Sequence, residues 1–213
     1  MTSLSSAAID QIFRRFQAAN PHPESELKAP NPFTFLVAVV LSAQATDVGV
    51  NKAAPALFAV ADTPEKMLAL GEDQLIPYIK TIGLYRSKAR HIMGLSAALV
   101  ERFGGHLPRT REELESLPGV GPKSANVVLN VVFGEPAMPV DTHLLRVSPR
   151  IGLSDGTTPQ VVERDLVAQI PAPYLHHAHH WLLLHGRYVC TARKPHCTQC
   201  LIADLCAHKS ALP

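Results

Sequence analysis

The sequence predicts an all-α fold from three observations. Hydrophobic residues make up 46% of the chain and are rich in Leu, Ala and Val, whereas aromatic residues make up 6%. No segment reads as a convincing strand, since even VVLNVVF at 127–133 directly follows a helix-start signal. Helix-start signals recur, with a capping side chain placed directly before a proline at Asn31-Pro32, Thr63-Pro64 and Thr158-Pro159.

Eleven helices follow from these signals. Thr110 and Glu113 predict a capping box, and Gly83, Gly104 and Gly186 stand where helices are expected to stop. The predicted helices lie near residues 3–19, 32–43, 47–60, 64–70, 72–80, 85–103, 111–117, 122–133, 141–150, 159–169 and 174–185.

Length and charge bound the class of protein only loosely. A chain of 213 residues with a formal net charge of +2 fits one large domain or two small ones and indicates no particular partner. The first residues, MTSLSSAAIDQIFRRFQ, predict an amphipathic helix rather than a secretion signal. The longest apolar stretch, 33–41, is far shorter than the ~18 residues that predict a membrane span. We therefore expect a cytoplasmic protein that does not enter the membrane.

All four cysteines lie near the carboxyl end, in the spacing C-x6-C-x2-C-x5-C. Cysteines used as small apolar residues would be scattered, so this grouping predicts four ligands of one metal centre. Zinc sites usually contain two C-x2-C pairs, and only one is present, whereas an iron–sulfur cluster tolerates unequal loops. An iron–sulfur cluster ranks first, zinc second and two disulfides last. The predicted ligands are Cys190, Cys197, Cys200 and Cys206.

The loop between the first two cysteines carries positive charge. Its sequence, TARKPH, includes Arg193 and Lys194. A short loop held by a cluster and bearing cations is suited to phosphate contacts. An ordinary solvated loop explains the same residues equally well.

The segment from Leu117 to Ser124, LPGVGPKS, predicts a helix-hairpin-helix motif spanning about 111–133. Gly119 and Gly121 flank Val120 in a turn between two helices. The free amides at the start of the second helix favour an anion, and a DNA phosphate is the obvious one. Such contacts position the protein without reading sequence. The competing interpretation is an ordinary glycine-rich turn.

Lys123 and Asp141 are the candidate catalytic pair. Lys123 lies at a positive helix end, where partial desolvation would favour its neutral, nucleophilic form; a phosphate-binding lysine is the competing interpretation. Asp141 begins the predicted helix at 141–150, directly after Pro139 and Val140. One interpretation is a carboxylate that assists the reaction at a sugar, and the other is a simple helix cap.

Histidines crowd one predicted helix beside Trp181. The pair His176 and His180 has the i, i+4 spacing of metal ligands. No carboxylate or cysteine joins them at suitable spacing, so we interpret them as structural histidines that hydrogen-bond across the helix.

Taken together, these segments resemble the endonuclease III family of DNA base-excision glycosylases. The resemblance rests on LPGVGPKSANVVLN, PVDTHLLRV and HHWLLLHGRYVCTARKPHCTQCLIADLC, with LSAQATDVGVNKAAPALF and TIGLYRSKARHI upstream. It covers the chain from about residue 5 to 208 and is far more specific than any single motif.

The resemblance implies two helical lobes with DNA in the cleft between them. One lobe is a six-helix bundle at 23–135, which carries the hairpin. The other combines 1–22 with 136–213 and holds a [4Fe-4S] cluster. A bacterial, nucleoid-associated monomer acting on double-stranded DNA is expected.

The implied chemistry removes a flipped, oxidised pyrimidine and then nicks the strand. Lys123 attacks the anomeric carbon with help from Asp141, and the Schiff base leads to β-elimination. Gln44 and Leu84 match family residues that fill the gap left by the flipped nucleotide; from the sequence alone they would be a helix cap and a core leucine.

Two residues depart from the family pattern, and three other functions compete with the implied one. Pro122 replaces a basic residue common in relatives, which costs a phosphate contact, and Pro149 is expected to kink or end its helix. An adenine glycosylase without a lyase step is disfavoured by Lys123. The second rival is a non-catalytic DNA-binding module, and the third is an electron-transfer protein.

Overall fold

The computed structural model describes residues 4–208. Within that range the predicted all-α class is confirmed, because eleven α-helices and one 3-10 turn are present and no strand is found. The helices are α1 (Ser6–Ala19), α2 (Pro32–Ser42), α3 (Asp47–Phe58), α4 (Pro64–Leu70), α5 (Glu72–Ile79), α6 (Tyr85–Phe103), α7 (Arg111–Glu115), α8 (Pro122–Phe133), α9 (Thr142–Ile151), α10 (Pro159–Gln169) and α11 (Ala172–Tyr188), with the 3-10 turn at Cys197–Gln199.

All three starts with a cap followed by proline are confirmed. The Asn31 side chain accepts from the Thr34 amide at 2.9 Å, and the Thr34 hydroxyl oxygen accepts from the Asn31 amide at 3.0 Å. Thr63 and Thr158 cap α4 and α10 through single side-chain acceptors. These starts were predictable because each cap involves only residues within one turn of itself.

The predicted capping box at Thr110 is only half formed. The Thr110 oxygen accepts from the Glu113 amide at 3.3 Å, but the Glu113 carboxylate accepts from the Thr110 hydroxyl at 2.8 Å instead of from its backbone amide. The helix that follows, α7, is also shorter than predicted and ends at Glu115.

Gly186 does not end a helix, and the prediction that it does so was wrong. It lies inside α11, which begins before and ends after the predicted range 174–185. A β-carbon at Gly186 would lie 3.0 Å from both the His143 Cβ and the Val147 Cγ2. The glycine is therefore explained by the close packing of α11 on α9. Gly83 lies in the turn after α5, and Gly104 caps α6 as predicted, with a φ of 59°.

Pro149 lies inside α9 and does not end it. The helix continues to Ile151, and Gly152 with a φ of 98° then closes it. Proline is tolerated here because it stands in the last turn. The start of α9, where Asp141 is placed, is two turns away.

Two compact units make up the chain: one combines 1–24 with 135–213, and the other is 25–134. The second unit contains α2 to α8. These are seven described helices, and Gly71, with a φ of 77°, alone separates α4 from α5. Its central helix is α2, whose residues 33–41 are all buried, and which packs on α3, α6 and α8.

The core of the first unit joins the two ends of the chain. Ile12 and Phe13 of α1 are fully buried together with residues of α9, α10 and α11. Phe13 stacks on Tyr174 with ring centroids 5.9 Å apart, and Trp181 donates to the Asn20 carbonyl at 2.8 Å. Among residues 4–208, no helix has both the length and the hydropathy needed to cross a bilayer.

Candidate functional site

The hairpin between α7 and α8 is built around Gly119. This residue has a φ of 80°, a conformation that glycine adopts without the strain a side chain would bring. The Val120 amide donates to the Leu117 carbonyl at 3.1 Å and closes the turn. Gly121 is extended, with a φ of −99°, and a β-carbon there would meet no atom within 4 Å. Gly119 therefore sets the conformation, and Gly121 leaves the backbone open.

The amino end of α8 offers unused donors. The amides of Gly121, Lys123 and Ser124 make no hydrogen bond within residues 4–208, and the first turn has no acidic residue. Amides and the helix dipole together favour an anion at this end. Val120 differs, since its amide is already used and its side chain is only 6% exposed. The predicted contact of Val120 with DNA stays a prediction, because its backbone amide is not available to a phosphate.

Lys123 lies in the first turn of α8 and is exposed. The partial desolvation expected from its position is therefore not found in the free protein. Pro122 precedes it at the first helical position, where a missing amide costs nothing. The lysine is thus free to reach a ligand held by the amides around it.

Helix α6 supports the hairpin from behind, a role that the sequence did not reveal. A β-carbon at Gly94 would lie 3.1 Å from the Pro118 Cγ, and one at Gly119 would lie 2.7 Å from the His91 Cβ. The hairpin backbone can therefore pack directly on α6. The only available signal was Gly94 in the middle of a helix, where glycine is unfavourable.

Asp141 caps α9 with one oxygen of its carboxylate. Its Oδ1 accepts from the amides of His143 and Leu144 at 2.8 and 3.0 Å. Its Oδ2 makes no hydrogen bond among the described residues. The residue is half-buried, so the helix-cap and catalytic interpretations are compatible: one oxygen fixes the side chain and the other remains available.

Gln44 and Leu84 share an unusual backbone. Among residues 4–208 they are the two non-glycine residues with positive φ, 54° and 60°. Such conformations cost on the order of 1–3 kcal/mol each and persist where the surrounding structure imposes them. Both side chains are exposed, Leu84 by 62%. The two turns are neighbours, since a β-carbon at Gly83 would lie 4.0 Å from the Gln44 carbonyl oxygen.

The four cysteines line one cavity. It contains about 450 Å³ of space, part of it open to solvent, and is walled by Ile151, Val189 and His185 among others. All four thiols are free and half-buried. No three His, Cys, Asp or Glu side chains in residues 4–208 are grouped as ligands of a single ion.

The thiols fit a cluster chemically. Burial is the main reason that the pKa values of Cys200 and Cys206 are raised, and the neighbouring thiols add to it. Four converging thiolates need a cationic centre to offset this cost, as bound iron would provide. The donor set and the shared cavity therefore suit a [4Fe-4S] cluster.

Two arginines of α9 hold the backbone around these cysteines, and sequence reasoning missed both. Arg150 donates to the carbonyls of Thr191 and Ala192 at 2.9 and 3.0 Å. Arg146 donates to the Gly186 carbonyl at 2.7 Å and to the Cys190 carbonyl at 3.2 Å. Nothing in the spacing of the sequence pairs α9 with this loop.

The loop that Arg150 holds presents the predicted cations. Arg193 and Lys194 are exposed. The Thr191 hydroxyl donates to the Lys194 carbonyl at 2.7 Å, and the His196 amide donates to the Val189 carbonyl at 2.9 Å. The loop is thus fixed by its own hydrogen bonds.

The histidine-rich helix only partly follows the prediction. His180 is buried, and burial, reinforced by His177 and His176, lowers its pKa to about 4. Its Nδ1 has no hydrogen-bond partner among the described residues, so the expected bond across the helix is absent at this residue. His177 stacks at a tilt on Trp181, with ring centroids 5.5 Å apart. Packing explains these rings.

Sequence comparisons identify relatives over nearly the whole chain. A profile of the HhH-GPD superfamily, described as a base excision DNA repair protein, matches residues 37–172, and one for the iron-sulfur binding domain of endonuclease III matches 190–206. Endonuclease III of Treponema pallidum (strain Nichols) is 60% identical over 206 residues, covering 97% of this chain and 98% of the relative. That of Escherichia coli (strain K12) is 51% identical over 199 residues, covering 93% and 94%.

Solved structures give the same picture. A trapped endonuclease III–DNA covalent intermediate, an estranged-adenine complex, matches with a TM-score of 0.89 at 42% identity, covering 97% of this chain and 98% of the other. A non-covalent endonuclease III–DNA complex has the same TM-score and identity, covering 97% of each chain. A thermostable thymine-DNA glycosylase, at 22% identity and a TM-score of 0.85, shares the fold.

Proposed function

Since this chain belongs to the endonuclease III family of base excision DNA repair enzymes, we propose that it releases oxidised pyrimidines from duplex DNA through a Schiff base on Lys123. The chain is a DNA glycosylase and abasic-site lyase. One observation carries the role of Lys123: an exposed amine stands among unused amides at the start of α8. The relative trapped as a covalent intermediate with DNA supports a covalent step.

The proposed reaction begins with the neutral amine of Lys123. Its lone pair attacks C1′ of the damaged nucleotide, the glycosidic bond breaks, and the base leaves with the bonding electrons. The attached nitrogen then loses a proton, and its lone pair forms the C=N bond as the C1′–O4′ bond breaks. O4′ takes up a proton, which leaves an open sugar joined to Nζ through an iminium at C1′. Loss of a proton from C2′ then breaks the C3′–O bond and releases the 3′ phosphate. Water finally hydrolyses the Schiff base and frees the lysine.

Asp141 is proposed to assist at the sugar. Its Oδ1 is fixed by two amides of α9, and its Oδ2 is free to take a proton from the lysine and to stabilise positive charge at C1′. A carboxylate held this way keeps its orientation without help from the substrate. Replacing Asp141 with Asn would keep one acceptor for the cap but remove the charge.

Gln44 and Leu84 are proposed to fill the space left by the extruded nucleotide. Both stand on neighbouring turns with left-handed backbones, and both side chains are exposed. An apolar side chain and an amide together can replace the stacking and hydrogen bonds of a missing base. Exposed left-handed residues have no evident role in the stability of the free protein, which supports a role in the complex.

The hairpin and the cysteine loop are proposed to bind phosphates. The free amides of Gly121, Lys123 and Ser124 suit one phosphate, and Arg193 with Lys194 suit another. None of these groups reads a base edge, so they would hold any duplex. Selection of the lesion must then come from the pocket that receives the base.

Cys190, Cys197, Cys200 and Cys206 hold a [4Fe-4S] cluster. A cluster held by these four thiolates would crosslink them and so add to the hydrogen bonds that already hold the cationic loop between the first two. Arg150 and Arg146 also position this part of the chain, because they donate hydrogen bonds to its backbone carbonyls. The cluster's part in the proposal is structural, and catalysis is assigned to Lys123 and Asp141.

Borohydride trapping on abasic duplex DNA tests the proposal. The wild-type protein should form a covalent adduct, Lys123→Ala should form none, and Lys66→Ala, at an exposed lysine of α4, should behave as wild type. A panel of damaged duplexes, scored separately for base release and nicking, tests the substrate class. Binding without any wild-type adduct would instead support a non-catalytic module, and release of adenine from mismatches would support an adenine glycosylase.

We further propose that the protein acts as a monomer in the bacterial cytoplasm, associated with the nucleoid through its DNA binding. The named bacterial relatives support the setting. Light scattering at concentrations spanning those of the activity assay tests the monomer, and a mass twice that of the chain would contradict it.

A further inference from the structure

Lys88 is a buried lysine that the proposed reaction does not use. It lies in α6, only 4% of it is exposed, and burial lowers its pKa. Its Nζ donates to the Leu41 carbonyl at 2.9 Å. Within residues 4–208 it forms no ion pair. A charged group buried against one neutral oxygen is costly, so its presence asks for an explanation.

The hydrogen bond from Lys88 to the Leu41 carbonyl stabilises the carboxyl end of α2. Leu41 lies in the last turn of α2, whose carbonyls lack helical partners and carry the negative end of the helix dipole. An ammonium satisfies such a carbonyl better than an apolar side chain of the same size. Gln44 follows three residues later, so the bond fixes the end of the helix from which the Gln44 turn departs.

Lys88 is also tied to the second left-handed residue. Its own amide donates to the Leu84 carbonyl at 3.0 Å, which is the first helical bond of α6 after the Leu84 cap. One residue therefore connects the end of α2 with the start of α6. Both bonds lie next to the turns that carry Gln44 and Leu84.

We propose that Lys88 is a positioning residue that holds Gln44 and Leu84 in their left-handed turns, so that both side chains are ready to fill the gap in the duplex. The inference rests on the proposed function of those two residues. Without the ammonium, the end of α2 loses a bond to α6, and the two turns relax toward less strained backbones. Their side chains must then be ordered when DNA binds, at a cost to base extrusion.

Two substrates separate this role from a general structural one. Base release from a damaged duplex requires the gap to be filled, whereas borohydride trapping on an abasic site in single-stranded DNA does not. Lys88→Met, which keeps length and removes the charge, should lower kcat/KM for base release by about tenfold and leave single-strand trapping within about twofold. Lys88→Arg, which keeps charge and donors, should retain most of the base release.

The matched controls lie in the same unit of the chain. Lys66→Met, at an exposed lysine, should change neither assay. In a background with both Gln44→Ala and Leu84→Ala, Lys88→Met should cause little further loss, because the residues it positions are gone. If Lys88→Met does not fold by circular dichroism, Lys88→Gln is compared in the same two assays.

Three outcomes would overturn the inference. They are an equal loss on both substrates, a fully additive loss in the double-alanine background, and unchanged base release by a folded Lys88→Met. A wild-type protein that forms no borohydride adduct with abasic duplex DNA would instead overturn the proposed function, so the two failures are distinguishable.

Discussion

Gly119 lies against His91 so closely that a β-carbon on the glycine would come within 2.7 Å of the His91 Cβ. Together with its φ of 80°, this contact predicts that Gly119→Ala loses about 2–4 kcal/mol of unfolding free energy. Chemical denaturation measures the loss. A loss below about 0.5 kcal/mol would show that the hairpin can move away from α6 without cost.

The control for that variant is the other glycine of the hairpin. Gly121→Ala meets no atom within 4 Å and keeps an ordinary φ of −99°, so it should leave stability nearly unchanged. Its methyl group stands beside the free amides of α8, and DNA affinity measured by fluorescence anisotropy should fall. A stability loss as large as that of Gly119→Ala would contradict the assignment of different roles to the two glycines.

The buried His180 predicts a dependence of stability on acid. Its pKa is about 4 in the folded protein and about 6.5 when exposed, so the unfolded chain binds the proton first as the pH falls. The contribution of neutral His180 to the free energy of unfolding is complete above pH 6.5 and is lost as the pH falls toward 4. At pH 5 the loss amounts to about 2 kcal/mol.

His180→Asn should remove that share of the pH dependence. Denaturation of both proteins at about pH 7 and about pH 5 measures it, and His106→Asn, at an exposed histidine, should keep the wild-type dependence. Identical slopes for His180→Asn and wild type would mean that another group titrates in this range.

The hydrogen bonds of Arg15 are expected to slow the loss of the cluster. It pairs with Asp204 through both nitrogens, at 2.5 and 2.8 Å, and donates to the Leu201 carbonyl at 2.8 Å. These bonds attach the segment between Cys200 and Cys206 to α1. Arg15→Met should release the cluster about fivefold faster in air, because that segment then loses its attachment to the helix.

Arg14 is the matched control on the same helix. It pairs with Asp10 one turn away and is 71% exposed, so Arg14→Met should leave the visible absorbance of the cluster to decay at the wild-type rate. Equal decay of both variants would mean that the Arg15–Asp204 pair does not hold the cysteine segment.

Arg193 and Lys194 predict a salt effect on DNA binding. If each contacts one phosphate, the slope of log affinity against log salt should become less negative by about 1 for each alanine substitution. The rate of trapping at saturating protein should not change, because neither residue touches the sugar. Anisotropy titrations at several salt concentrations measure the slope, and an unchanged slope would assign both residues to the solvated surface.

The predictable parts of this molecule are the local ones. The caps at Asn31, Thr63 and Thr158 depend on residues within one turn, and the sequence contains all of them. The four cysteines were visible because their spacing is itself the signal. The Gly186 prediction was wrong because only the packing of α11 on α9 explains that glycine, and the sequence does not show which helices touch.

The remaining site residues required a fold or a family. Gln44 and Leu84 have no propensity for positive φ, and only the resemblance marked them; their backbones are imposed by the turns around them. Lys88 reads as one more helical lysine until α6 is placed against α2. Arg150 likewise gains meaning only when α9 lies beside the cysteine loop.

The buried apolar face of α1 has a consequence for biosynthesis. Ile9, Ile12, Phe13 and Phe16 find their partners in α9 to α11, more than a hundred residues later in the chain. While the ribosome is still translating, residues 25–134 have all their helices and can fold first. The first helix therefore stays exposed or bound to a chaperone until α11 has emerged, and iron can be inserted only after Cys206 has been synthesised.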